Sequence, residues 1–161
     1  MKLNAYVAGV GMTDFGKHLD RGLKSLGAEA IAAALKASGL DAKDIQAAYM
    51  SNAAAGPITG QEMIRGQVVL YPIGLGKIPV VNVENACASA STAFGQACAM
   101  VTAGLYDVVL ACGVEKMYHE DKARTFKALG GAIDVEGAQR LADELAASAK
   151  ASGATAAASN A

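Results

Sequence analysis

Tryptophan is absent from the 161-residue chain, and aromatic residues make up only 5% of it. Charge of either sign is also scarce, since charged residues account for 18% and the formal net charge is −1. This balance gives no reason to expect a nucleic acid or an anionic membrane surface as partner. Alanine and glycine are abundant instead, with 36 and 18 residues. The composition is that of a globular domain with closely packed helices, and it excludes an intrinsically disordered chain.

Long apolar runs are missing as well. The run at 108–112 falls far short of the ~20 residues that a membrane helix needs, and Asn4 interrupts the N-terminal apolar stretch, so no signal peptide is expected. The three cysteines are an odd number without CxxC spacing, which argues against a disulfide framework or a metal site. A reducing cytoplasm is the expected location.

Short β-like runs alternate with stretches of helical period along the first 117 residues. This order predicts an α/β fold with a mostly parallel four-stranded sheet and helices on both faces. The predicted strands are 3–10, 45–51, 78–84 and 106–114, and the predicted helices are 23–38, one that Gly60 opens and that runs through Val69, and 89–105.

The sequence changes character after Met117. We predict an α/β half-domain over 1–117, a loop region over 118–150 that contains a helix at 137–149, and a flexible Ala/Ser-rich tail over 151–161. The tail contains six alanines and no large apolar side chain, so it has nothing with which to pack.

The glycines after the first predicted strand invite comparison with a dinucleotide-binding loop. Gly9, Gly11 and Gly16 follow a G-x-G-x4-G spacing, and Asp14 occupies the place of the third glycine of the G-x-G-x-x-G fingerprint. A strand-terminating turn is therefore the preferred interpretation.

Cys87 is the candidate catalytic residue. It lies between a predicted strand and the start of a helix, where unpaired N–H groups stabilise a thiolate and the small neighbours leave room for a substrate. Position alone leaves a buried, unreactive thiol about equally open. Cys98 and Cys112 lie within helix and strand patterns and are expected to be core residues.

Four polar residues are weaker candidates. His18 and His119 fall in polar loops, and either is a base for Cys87 only if the fold brings it to about 3 Å. Glu84 and Glu115 end predicted strands at the edge where α/β active sites gather. A solvated side chain is the favoured interpretation for each of them.

The segment Asn82–Ala93 (NVENACASASTA) closely resembles the nucleophile segment of thiolases, above all of the sterol carrier protein-type branch with its acetyl-CoA acetyltransferase-like members. Three further stretches resemble the same family in order and spacing: Val10–Lys17, Gly60–Gln67 and Gly113–Met117. Together the resemblance runs from about Ala5 to Gly137.

The resemblance implies acyl transfer between CoA and a carbon acceptor, by 3-ketoacyl-CoA thiolysis or Claisen condensation, through a thioester on Cys87. The backbone N–H of Cys87 is then expected to help hold the thioester oxygen. No permanently bound cofactor is implied; coenzyme A and acyl-CoA are substrates, and no residue that contacts them is assigned. Ala90 stands where many family members have glycine.

The family also implies a second α/β half, which supplies a Gly-His-Pro histidine and a second cysteine. This sequence contains neither motif, so little activity is expected of the chain alone. Two alternatives remain open: a non-catalytic subunit that binds a partner or acyl-CoA, and a thiolase-fold lyase that acts on sterol side-chain CoA thioesters. Association is expected either as a homodimer through the strand at 78–84 or with a complementary C-terminal half.

Overall fold

The computed structural model describes residues 2–151, so the tail predicted at 151–161 lies, apart from Ala151, outside the described residues. Three strands and six α-helices form in this part of the chain. They are α1 (Leu23–Ser38), β1 (Ala47–Ser51), α2 (Ala55–Thr59), α3 (Arg65–Leu70), β2 (Val80–Val83), α4 (Ser89–Thr102), β3 (Val109–Gly113), α5 (Lys122–Gly130) and α6 (Val135–Ala151).

The sheet is parallel throughout, with the strand order β2-β1-β3. In its register Tyr49 lies between Val81 and Ala111, and Ser51 lies between Val83 and Gly113. The carboxyl ends of the three strands therefore meet at one edge. Ligands of open α/β sheets bind at this edge.

Helices cover both faces of the sheet, as the alternation of strands and helices and the continuous apolar runs of the strands predict. Successive strand side chains point to opposite faces, so Ala48 and Met50 belong to one apolar cluster and Tyr49 belongs to another. The first cluster also contains residues of α1 and α3, and the second contains Ala93 and Ala97 of α4. The α/β class with a parallel sheet and helices on both faces is confirmed.

The predicted strand at 3–10 is wrong, and the sheet has three strands rather than four among residues 2–151. Asn4 in this segment donates its N–H to the Thr102 hydroxyl of α4, and the end of the segment, from Gly9 onward, lies against α1 instead. A Cβ atom at Gly9 would lie 2.4 Å from the Ala34 carbonyl oxygen, and one at Gly11 would lie 2.2 Å from that of Ala30. The lack of a side chain at these glycines thus allows the backbone of this segment to pack closely against α1. The periodicity of the neighbouring side chains does not reveal this contact.

Two helix predictions also need correction. Gly60 ends α2 in the left-handed conformation (φ 81°) rather than opening a helix, and α3 begins only at Arg65. Glycine at such a position caps a helix C-terminus without steric cost. The polar stretch that follows Met117 forms α5, which the sequence pattern did not predict.

The chain divides into two compact units, one up to Ala128 and one from Leu129 onward. In the second unit the helix predicted at 137–149 is present as α6, and Asp134 Oδ1 accepts a hydrogen bond from the Gly137 N–H at 2.9 Å near its start. Within residues 2–151 no helix is long and apolar enough to cross a membrane.

Candidate functional site

Cys87 lies in a tight turn directly before α4. Residues Ala86–Ala88 form a single 3₁₀ turn, and Ala86 has a positive φ of 44°. Residues other than glycine rarely adopt a positive φ. The turn therefore depends on its hydrogen bonds. Glu84 Oε1 accepts the Ala86 N–H at 2.6 Å, and the Ser89 hydroxyl donates to the Ala86 carbonyl at 2.7 Å.

The turn directs Cys87 to the surface, and its side chain is exposed. It precedes a 14-residue helix whose N-cap is Ala88. The first N–H groups of such a helix lack partners within it and carry partial positive charge. The thiol therefore lies at the surface beside the start of this helix, where a substrate has access.

A cleft of about 580 Å³ opens beside this thiol. The ends of β1 and β3, the Cys87 turn, α1 and the segment before α1 form its walls, so it lies at the carboxyl edge of the sheet. Its lining residues are Gly11–Gly16, His18, Leu26, Ala30, Ser51, Asn52, Ala86, Cys87, Ser89, Ala90 and Gly113–Glu115.

Asn52 and Glu115 join the two strand ends at the floor of the cleft. The Glu115 carboxylate accepts the Asn52 amide at 2.9 Å and the backbone N–H groups of Ala53 and Ala54 at 2.8 and 3.1 Å. Buried Asn52 also donates to the Val114 carbonyl at 2.6 Å. Glu115 therefore fixes the turn after β1, and is not simply a solvated strand end.

The two histidines occupy different surroundings. His18 lines the cleft, and its Nε2 lies 2.8 Å from the Asp14 carbonyl. His119 is absent from the lining and its Nδ1 accepts the Asp121 N–H at 2.9 Å. Over residues 2–151 no imidazole forms a hydrogen bond with the Cys87 sulfur.

The other cysteines are less accessible than Cys87. Cys98 and Cys112 are half-buried free thiols, and Cys112 packs against the larger apolar cluster. Burial raises the pKa of Cys112 to about 11. A thiol with so high a pKa is almost entirely protonated at neutral pH, which makes it a poor nucleophile.

Sequence reasoning missed part of the site. Asn52 and the wall formed by 11–16 were not singled out as site residues, although both carried a signal. Asn52 directly follows a strand, and strand ends of a parallel sheet converge on one edge. Gly11 and Gly16 marked a segment of special backbone geometry, which turned out to be a wall of the cleft.

Solved structures identify the class of fold. The chain superposes on 3-oxoacyl-[acyl-carrier-protein] synthase III from Aquifex aeolicus with a TM-score of 0.54 at 15% identity, covering 61% of this chain and 31% of that one. The priming β-ketosynthase of the R1128 polyketide pathway gives a TM-score of 0.54 at 20% identity, covering 62% and 29%. The fold is thus the α/β fold that these two structures share.

Sequence comparison identifies the family. The family model "Thiolase, N-terminal domain" matches residues 5–160. The acetyl-CoA acetyltransferase of Methanocaldococcus jannaschii is 42% identical over 81% of this chain and 32% of its own length. The benzoylsuccinyl-CoA thiolase subunit BbsB of Thauera aromatica is 40% identical over 71% and 29%, and sterol carrier protein 2 of Gallus gallus is 34% identical over 73% and 21%. The chain belongs to the thiolase family, and it spans at most about a third of the length of these relatives.

Proposed function

We propose that this chain carries the acyl-accepting cysteine of a thiolase-type acyltransferase, and that this cysteine is Cys87. The observation that carries the proposal is the exposed Cys87 thiol on the wall of the 580 Å³ cleft, in a turn directly before α4. The other two thiols are half-buried, and neither lines this cleft.

The chemistry proceeds in two steps. In thiolysis the Cys87 thiolate attacks the C3 carbonyl of a 3-ketoacyl-CoA, and the C2–C3 bond breaks. The acyl group stays on sulfur as a thioester, and the electron pair leaves on C2 of acetyl-CoA, where a proton is added. The thiolate of a second CoA then attacks the thioester and releases the shortened acyl-CoA together with the Cys87 thiolate. Condensation is the reverse of these steps.

The backbone around Cys87 suits its proposed role. We assign the Cys87 N–H to the thioester oxygen, because an N–H in the turn at a helix start is oriented before the reaction begins and stabilises developing negative charge. Ser89, Glu84 and their hydrogen bonds to Ala86 hold this turn. Their role is therefore to position the nucleophile.

The proton-transfer groups are proposed to come from outside residues 2–151. No imidazole in this range forms a hydrogen bond with Cys87, and the family resemblance implies a histidine and a second cysteine from a C-terminal half. We propose that such a half completes the site. A second copy of the chain, joined through the edge strand β2, is proposed only as a dimer partner, because it contains neither motif. The side chain of Val81 in this strand is 42% exposed, which suits a strand that gains a partner.

The absence of an imidazole at Cys87 within residues 2–151 also favours a second candidate function. A subunit that binds acyl-CoA without reacting needs the cleft but no base. A thiolase-fold lyase that acts on sterol side-chain CoA thioesters stays as a further alternative, since its chemistry does not require the cysteine.

Intact-mass measurement after incubation with acetyl-CoA separates these functions. The acyltransferase proposal expects a single acetyl adduct, which Cys87→Ser abolishes and the matched control Cys98→Ser retains. Because the base is missing from the described residues, incubation for hours at pH 8 is appropriate. Binding of acetyl-CoA without any adduct, with or without the complementing half, favours the non-catalytic subunit. An adduct that persists in Cys87→Ser would show that another residue is the nucleophile.

A further inference from the structure

Lys116 binds the loop that precedes α1. It directly follows Glu115 after β3, and its half-buried ammonium donates hydrogen bonds to the backbone carbonyls of His18 and Arg21. Within residues 2–151 this ammonium forms no ion pair with a carboxylate. A partly buried cation is costly unless its hydrogen bonds are made. The two carbonyls meet part of this need, and they tie the end of β3 to a loop that lies 98 and 95 positions earlier in the chain.

The backbone of His18 adopts a conformation that is rare for a residue with a side chain. Its φ is 39°, which lies in the left-handed region. The His18 carbonyl also accepts the Arg21 N–H at 3.1 Å, and the Arg21 guanidinium bonds to Glu29 of α1 at 2.6 Å. A strained residue persists only where its surroundings hold it. Here the Lys116 ammonium and the Arg21 N–H hold the carbonyl of the strained residue.

The ring of His18 folds back over the preceding part of the loop. Its Nε2 lies 2.8 Å from the Asp14 carbonyl oxygen, so the Nε2–H donates to that carbonyl. A Cβ atom at Gly16 would lie 3.2 Å from the same nitrogen. His18, Asp14 and Gly16 all line the cleft that Cys87 also lines. A continuous series of contacts therefore runs from the Lys116 ammonium through His18 to the wall of this cleft.

We propose that Lys116 and His18 are positioning residues for acyl transfer at Cys87. The Lys116 ammonium holds the backbone of His18, and the His18 ring in turn holds the wall formed by residues 11–16. Group transfer is fast only while the reacting atoms are held in a defined geometry, so a displaced wall slows it even when the thiol is intact. This inference rests on the proposed function for the reaction that it affects, whereas the contacts that hold the wall do not depend on it.

The rate of Cys87 acylation tests the positioning role. Intact mass is followed over time with the full chain at several concentrations of acetyl-CoA, which gives the maximum rate and the half-saturating concentration. Lys116→Met should lower the maximum rate about tenfold, because a wall displaced by about 1 Å misplaces the thioester. Lys116→Arg should restore most of the rate, because a guanidinium also donates to two carbonyls. The matched control Lys36→Met removes an exposed lysine of α1 and should leave the rate unchanged.

Alkylation separates a displaced wall from a damaged thiol. Iodoacetamide is small and needs no binding site beside the thiol. Its rate at Cys87 should therefore stay unchanged in Lys116→Met, while acylation by acetyl-CoA falls.

Glycine at position 18 separates positioning from stability. Glycine adopts a φ of 39° without strain, so His18→Gly should keep the melting temperature within about 3 °C of the unmodified chain. It should still slow acylation about as much as Lys116→Met does, and it decides the matter if Lys116→Met does not fold. The double variant should be no slower than the slower single variant, because the two residues act through one series of contacts.

Three results overturn the positioning role. The first is an unchanged acylation rate in both Lys116→Met and His18→Gly. The second is acylation and alkylation that fall together, which would place the damage at the thiol. The third is acylation that falls only in step with the melting temperature, which would leave a purely structural role.

Failure of the proposed function has a different signature. If the unmodified chain gives no adduct, with or without a C-terminal half, acyl transfer is overturned and nuclear magnetic resonance tests the wall by itself. The chain has two histidines, so replacing one assigns the ring signals of both. The His18 ring signals should shift in Lys116→Met and stay fixed in Lys36→Met. Fixed signals in both variants overturn the hold of Lys116 on the wall.

Discussion

The Glu115 carboxylate accepts a hydrogen bond from the side-chain amide of Asn52 at 2.9 Å, which links the ends of β3 and β1 across the floor of the cleft. The same carboxylate accepts the N–H groups of Ala53 and Ala54. These bonds fix the turn after β1, and with it one side of the cleft, through a single side chain.

Replacement of Glu115 by Ala is therefore expected to lower the free energy of unfolding by about 1–2 kcal/mol, because one amide and two backbone donors lose a charged acceptor and water replaces it only in part. Urea unfolding followed by circular dichroism measures the change. The control is Glu120→Ala, which removes an exposed carboxylate without a hydrogen-bond partner in residues 2–151 and should change stability by less than about 0.5 kcal/mol. Equal loss in both variants would contradict the structural role of Glu115.

The Asn52–Glu115 link shows what the sequence could and could not reveal. Both residues follow strands, and the α/β alternation predicts that the strand ends converge. Which side chains then bond depends on the sheet order, and periodicity does not give that order. The interpretation of Glu115 as a solvated side chain accordingly missed its partner, which lies more than sixty positions earlier.

Prediction worked best where local signals agree. The helix at 23–38 is present with the predicted bounds, because its apolar spacing ends at Gly39, which adopts a left-handed φ of 71°. The prediction failed for residues 3–10, where an apolar run suggested a strand. That run pairs with no strand in the described part of the chain, and Tyr6 is 92% exposed. Strand formation depends on a neighbouring strand, which a local pattern does not supply.

The candidate site likewise has a part that the local sequence predicts and a part that it does not. The location of Cys87 before a helix could be predicted, because strand, turn and helix are consecutive in the chain. The place of His18 on the wall of the same cleft could not, since it depends on how the loop before α1 lies against the strand ends.

Alkylation should distinguish the three thiols. Cys87 is exposed while Cys98 and Cys112 are half-buried, so we expect iodoacetamide at pH 7.5 to modify Cys87 at least about tenfold faster than the others. Peptide mass mapping over time measures the three rates. Cys87→Ser should remove only the fast phase, and Cys98→Ser should leave it intact. Similar rates at all three positions would argue against a reactive Cys87.

The close approach of the segment before α1 predicts opposite effects for two Gly→Ala substitutions. In Gly11→Ala the new Cβ would lie 2.2 Å from the Ala30 carbonyl oxygen, so the segment must move away from α1. We expect a loss of about 1–3 kcal/mol. Gly95→Ala on α4 meets nothing within 4 Å, and alanine favours a helix, so a gain of up to about 1 kcal/mol is expected. Thermal unfolding of the two variants checks both signs.

The raised pKa of Cys112 predicts a loss of stability in alkali. The thiol ionises near 9.0 in the unfolded chain and near 11 in the folded one, so between these values the unfolded state releases the proton first. Below pH 9 this thiol leaves the free energy of unfolding unchanged. As the pH rises toward 11, the free energy of unfolding falls by up to about 3 kcal/mol. Urea unfolding at pH 8 and at pH 10.5 measures this loss, and Cys112→Ala removes the ionisation while nearly keeping the volume. The variant should lose clearly less stability between the two pH values than the unmodified chain does; an identical loss would assign the alkaline effect to other groups, the lysines and tyrosines first among them.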